Sequence, residues 1–169
     1  MKLFRLILMA SLIALAGSCG YQFQGRGYIN KDVTRVAVEV FKNRSSETTA
    51  GISFANELIR EILEKTDTRV VDSDGAGRRI MGTIHSITFS GIARTSIENV
   101  VERQVTARVD VQLVGADGKI LWSVKNFTST EDYATSKDKA SDESNRKEAL
   151  DKIARRSAQQ IVGQMTSHF

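Results

Sequence analysis

Gln104-Val105-Thr106-Ala107-Arg108-Val109-Asp110-Val111-Gln112-Leu113-Val114 is the stretch that decides the fold. Val105, Ala107, Val109, Val111 and Leu113 alternate with Gln104, Thr106, Arg108, Asp110 and Gln112. Such a period of two describes a strand with one face on a core and the other in a polar setting, as antiparallel sheets allow. Gly115-Ala116-Asp117-Gly118 follows as a hairpin signal. Ile120, Trp122 and Val124 mark the return strand, and part of the polar run from Asn126 to Ala140 continues it as far as Tyr133.

Upstream lies a second strand, from Arg79 to about Ser90, that changes phase. Ile80, Gly82 and Ile84 share one parity, Ile87 and Phe89 the other, so a β-bulge is expected between Ile84 and Ile87. Ser73-Asp74-Gly75-Ala76-Gly77 reads as a turn, and Thr68 to Asp72 as a short strand. A helix is expected from Thr49 to Lys65, with Ala55, Leu58, Ile59, Ile62 and Leu63 inside. Arg60, Glu61, Glu64 and Lys65 take its wet side, and Glu61 and Lys65 form a favourable i,i+4 pair. Val36, Val38 and Val40 predict a first strand with a valine face, followed by a polar loop from Lys42 to Ser46.

A last helix runs from about Asp142 to Ser167, with Ser141 as its N-cap. Leu150, Ile153, Ala154, Ser157, Ile161, Val162 and Met165 form its inner stripe. The order is therefore β-α-β-β-β-β-α. It predicts an α+β two-layer sandwich: a mixed, mostly antiparallel sheet of about four to five strands with two helices on one face. The first strand–helix–strand unit would be a right-handed crossover if its strands are parallel neighbours.

The chain opens with Lys2 and Arg5, an apolar run from Leu6 to Leu15, and Ala16-Gly17-Ser18 before Cys19, the only cysteine. This is the layout of a secretory signal peptide, too short to span a bilayer, which takes roughly 20 apolar residues. Leu15-Ala16-Gly17-Ser18-Cys19 resembles the bacterial lipobox. That resemblance implies cleavage after residue 18 and lipidation of Cys19, with a diacylglyceryl group on sulfur and a third acyl chain on the freed amine. Several chains hold firmly, at about 0.8 kcal/mol per buried methylene. Gly20 is not the aspartate that retains such proteins at the inner membrane, so the expected address is the periplasmic side of the outer membrane. Residues 19–31 read as a lipidated N-terminus and tether, whose Tyr21 and Phe23 either pack on the body or lie at the bilayer interface. Residues 32–169 read as a single domain.

The 24 basic and 20 acidic side chains leave a net charge of +4, and losing Lys2 and Arg5 halves that excess. This is not the footprint of a nucleic-acid binder. With Cys19 acylated, no intramolecular disulfide is available. An enzyme finds little support. His85 and His168, the only histidines, stand in no metal-ligand spacing. No Gly-x-Ser-x-Gly elbow occurs, and Gly75-Ala76-Gly77 lacks the Lys-Ser/Thr of a phosphate loop. No catalytic residue, metal ligand or cofactor is expected beyond the acyl chains on Cys19.

Cys19-Gly20-Tyr21-Gln22-Phe23 resembles the start of mature LptE-family proteins, the lipopolysaccharide-assembly lipoproteins. Val38-Glu39-Val40-Phe41-Lys42-Asn43-Arg44-Ser45 is similar to the family's first strand and loop. Asn56-Glu57-Leu58-Ile59-Arg60-Glu61 resembles its helix motif, and Asp117-Gly118-Lys119-Ile120-Leu121-Trp122 its late hairpin. Glu47-Thr48-Thr49-Ala50-Gly51 departs from the Glu-Pro-Gly that many members carry.

The resemblance implies an outer-membrane lipoprotein that assembles with and plugs the LptD β-barrel and binds lipopolysaccharide on its way to the outer leaflet. A barrel lumen is polar. The Gln104, Thr106, Arg108, Asp110 and Gln112 face suits that setting, and equally suits a plain solvated sheet. Arg94, Arg103, Arg108, Lys119 and Lys125 are the candidate contacts to lipopolysaccharide phosphates, since Arg and Lys recognise such oxyanions. Each also reads as an ordinary surface charge. The rival reading is a binding lipoprotein of another envelope complex, such as a secretin pilot or a cell-wall synthase activator.

Overall fold

Period-two sequence produces three long strands side by side. The computed structural model describes residues 27–30, 33–94 and 100–167. Strand β1 spans Arg35–Val38, β2 Lys42–Asn43, β3 Arg69–Val70, β4 Arg79–Arg94, β5 Val100–Val114 and β6 Ile120–Ala134. Helix α1 spans Ala50–Lys65, the single turn α2 Ser73–Ala76 and α3 Lys139–Ser167. The six-stranded sheet has the order β3-β1-β4-β5-β6, with β2 also pairing β4. β4, β5 and β6 are antiparallel neighbours. β1 is parallel to both β3 and β4, so the first strand–helix–strand unit does join parallel neighbours.

The core follows the β5 alternation. Val105, Ala107, Val109, Val111 and Leu113 are buried against Leu58 and Ile62 of α1 and Ile153, Ile161 and Met165 of α3. Both long helices thus cover one face of the sheet, and Glu57 of α1 lies 3.7 Å from Arg155 of α3 across their seam. The expected α+β two-layer sandwich stands, with a more finely divided sheet. The bulge in β4 falls where the phase change placed it, with a register shift between Ile84 and Ser86. β6 continues past Tyr133 by one residue.

Several expectations are corrected. The valine face of the first strand does not persist: Val36 is buried but Val40 is 63% exposed, and Phe41 takes the core position instead. Phe41 fits because two glycines surround it. A Cβ on Gly82 would lie 2.3 Å from the Phe41 ring, and one on Gly51 would lie 2.4 Å from its carbonyl oxygen. The strand therefore breaks into β1 and β2.

On α1, Leu63 is exposed and Glu61 buried, because the stripe continues from Phe54 through Leu58 to Glu61 and Ile62. No ion pair joins Glu61 to Lys65 among the described residues. The N-cap of α3 is Asp138, not Ser141: the Asp138 carboxylate accepts from the Ser141 amide at 2.9 Å and from its hydroxyl at 2.7 Å. Ile120 is exposed beside the irregularity between Leu113 and Val114. The expected signal peptide, Cys19 and most of the expected tether lie outside the described residues.

Candidate functional site

The helices cover one face of the sheet and leave the other open. Alternation assigns Gln104, Thr106, Arg108, Asp110 and Gln112 to that open face. Met81, Thr83, Ser86 and Thr88 of β4 stand opposite Gln112, Asp110, Arg108 and Thr106. Ser123, Thr128 and Thr130 of β6 flank the other side.

Asp110 is the centre of this face. The extra residue of the β4 bulge is His85, and its Nε2 lies 2.9 Å from Asp110 Oδ2. β6 carries a second bulge at the same level, where Lys125 and Asn126 together face Asp110. Asn126 adopts a left-handed backbone at φ 53°, and its amide donates to Asp110 Oδ1 at 2.7 Å. A short polar side chain is among the few that tolerate this conformation. The Asn126 amide, then the His85 imidazole, with a smaller contribution from the Lys125 charge, hold the Asp110 carboxyl below the usual carboxylate range. One carboxylate thereby ties both bulges to the straight middle strand.

Glu39, Lys42, Met81, Thr83, Asp110 and Gln112 line a shallow hollow of about 180 Å³ beside this centre. Glu39 of this lining pairs with Arg79 at 3.2 Å.

The proposed phosphate contacts separate into different places. Arg108 and Lys125 flank Asp110 on the open face, both exposed. Arg103 has the parity of Val105, lies on the helix side and stands 4.0 Å from Asp142 of α3. Lys119 is in the β5–β6 hairpin and pairs with Asp117 at 3.2 Å. Arg94 closes β4, in register with Val100, and its side chain lies outside the described set. Of the five, only Arg108 and Lys125 are brought together.

Lys42 and His85 join that pair without having been singled out for it. Lys42 reaches the face because β2 pairs in parallel with Thr83, a long-range contact that local sequence does not carry. The phase change in β4 did mark the position of His85.

The loop quoted as Asn43-Arg44-Ser45 has a structural job. Asn43 Oδ1 accepts from the Ser45 amide at 2.9 Å and hydroxyl at 2.7 Å, while its Nδ2 donates to Glu47 O at 2.7 Å. This turn delivers the chain into α1. It also places Glu47 against Arg146 of α3, whose guanidinium lies 4.6 Å over the Phe89 ring.

Solved structures with the same fold include a lipoprotein from Caulobacter crescentus CB15 (TM-score 0.60, 11% identity, covering 82% of this chain and 93% of that one). Lipoprotein B from Nitrosomonas europaea matches with a TM-score of 0.59 and 20% identity over 88% of this chain and 91% of its own. The rare lipoprotein B from Shewanella oneidensis matches with a TM-score of 0.54 and 16% identity, over 79% and 94%. These likenesses concern the fold. No curated protein matches by sequence. The family profile described as LptE, lipopolysaccharide-assembly, matches residues 33–165, from the start of the sheet to the last turn of α3. The chain belongs to the LptE family of lipopolysaccharide-assembly proteins.

Proposed function

We propose that this protein is the lipid-anchored partner of an LptD-like barrel in the outer membrane. In this reading Cys19 carries the acyl chains, the domain sits in the barrel lumen as a plug, and the open sheet face meets lipopolysaccharide. The match to the family along nearly the whole domain carries the reading. The open face supports it: it is polar along β5 and carries Arg108, with Lys125 close enough to act on the Asp110 carboxylate and Lys42 lining the same hollow. A face of this kind can line a water-filled lumen and offers cations to lipid A phosphates. Lys125 is a point charge, whereas Arg108 can grip a phosphate with two parallel N–H bonds. Asp110 holds the β6 bulge that presents Lys125, and Arg108 stands two residues away from it on the same face of β5. No helix among the described residues is long and apolar enough to cross a membrane.

Extraction in mild detergent with affinity pull-down tests the assembly; a large outer-membrane barrel protein is expected in stable complex. Charge reversal tests the site. Arg108→Glu combined with Lys125→Glu should weaken lipopolysaccharide binding by about tenfold, within the range of charge-assisted contacts at an exposed surface. Arg103→Glu, on the opposite face, should leave it unchanged. Equal losses from both changes would point to net charge and not to this face.

A further inference from the structure

The lower part of β4 is paired on both sides; its upper part is not. β1 covers Arg79 and Ile80, and β2 covers Thr83 and Ile84. The last bond on this side is from the Arg44 amide to Ile84 O, at 2.9 Å, after which the chain turns away to α1. The open backbone groups can be named. Arg78, Ile80 and Ile84 accept from Ala37, Glu39 and Arg44, so residues of this parity face outward below the bulge. His85 resets the phase. Ser86, Thr88 and Ser90 then face β5, opposite Arg108, Thr106 and Gln104. The N–H and C=O groups of Ile87, Phe89 and Gly91 point outward with no hydrogen-bond partner among the described residues.

This edge is also unguarded. Ser86-Ile87-Thr88-Phe89-Ser90-Gly91-Ile92-Ala93 contains no charge and no proline. Sheet edges left free in water are blunted by charges, proline, short length or a covering element. The other edges here obey that rule. β3 has only Arg69 and Val70. On β6, Arg156 donates to Thr130 O at 3.0 Å, Asn145 donates to Ala134 O at 2.9 Å, and the bulge at Lys125 and Asn126 interrupts the rest. An uncharged edge of β-prone residues fits a protein in which that edge is covered.

We propose that an extended segment of the barrel partner adds to the sheet along Ile87–Gly91, next to β4 and end-on to β2. This rests on the reading that the chain assembles with a barrel protein. Main-chain bonding of this kind supplies affinity without demanding a particular partner sequence. Charge selects the partner's end. Arg44 is exposed where β2 stops and makes no ion pair among the described residues, so the segment abutting it carries a carboxylate there. The same charge disfavours a second copy. Antiparallel self-pairing about Phe89 would bring Arg44 of each copy to the level of Arg94 of the other. The irregularity between Gly91 and Ala93 would also interrupt the ladder.

Residue-resolved hydrogen exchange on the full acylated chain, alone in detergent and in complex extracted from the membrane, tests this. The amides of Ile87, Phe89 and Gly91 should exchange about a hundredfold more slowly in the complex. Those of Ser86, Thr88 and Ser90, already bonded to β5, should change little. Arg44→Glu should lower the recovered complex several-fold. A complex that forms with these three amides still fast overturns the added strand and spares the assembly reading. Absence of any barrel partner overturns both. Concentration-dependent protection in the chain alone assigns the edge to self-pairing and overturns the proposal.

Discussion

Asp110 accepts a peptide N–H from one neighbouring strand and an imidazole from the other, so its loss should be felt in stability as well as on the open face. Asp110→Ala leaves the Asn126 amide unpaired and should lower the unfolding free energy at pH 7 by about 1 kcal/mol. The sign with pH follows from its lowered pKa. The contribution is present above the unfolded value of about 3.9 and is lost as pH falls through the folded one. Urea unfolding of the two proteins should therefore differ at neutral pH and converge in acid; a gap that persists into strong acid would place the effect in packing. Gly82 offers a second check. Gly82→Ala drives a methyl into the Phe41 ring and should destabilise by about 2 kcal/mol. Combined with Phe41→Leu, the cost should fall short of the sum of the two single changes, because the residues share one space.

Among the elements, β5 was legible because each of its faces meets only one environment, and the alternation records that directly. The bulge in β4 was legible for the same reason, since Ile84 and Ile87 both needed the core. The first strand was not. Val36, Val38 and Val40 alternate cleanly, but burial there is decided by Phe41 fitting between Gly51 and Gly82, residues remote in the chain. The candidate site divides likewise. Arg103 and Arg108 differ in parity, so their opposite faces could be read from the sequence, whereas the approach of Lys42 to Asp110 depends on a parallel pairing. The start of α3 misled because Asp138 and Ser141 are both good caps, and the chain adopts the earlier one. Asp138→Ala should therefore lower the melting temperature by a few degrees, and Ser141→Ala by clearly less. Equal effects in thermal denaturation would restore Ser141 as the cap. The Asp138 carboxyl, held low by the Ser141 hydroxyl and amide, loses this role in acid.

For the whole molecule, the decisive prediction concerns attachment. Cys19→Ser should abolish the acyl mass and release the protein from the membrane fraction, as fractionation and intact-mass measurement will report; retention of the variant in that fraction would contradict the anchor. Arg146 is the matching test of integrity. It pairs with Glu143 one turn earlier in α3, and reaches from that helix to Glu47 ahead of α1 and to the Phe89 ring of β4. Arg146→Ala should loosen all three at once and destabilise by about 1–2 kcal/mol, with denaturant unfolding as the measure. The paired bulges have a different bearing. Excising His85 would bring Ile84 and Ile87 into ordinary alternation, and excising either Lys125 or Asn126 would do the same for Val124 and Phe127. No greasy side chain would be turned to water by either deletion. The two surplus residues are thus superfluous to the interior, and what they impart is curvature: a crease at one height across three ribbons, with the outer two bent around the one that runs through uninterrupted.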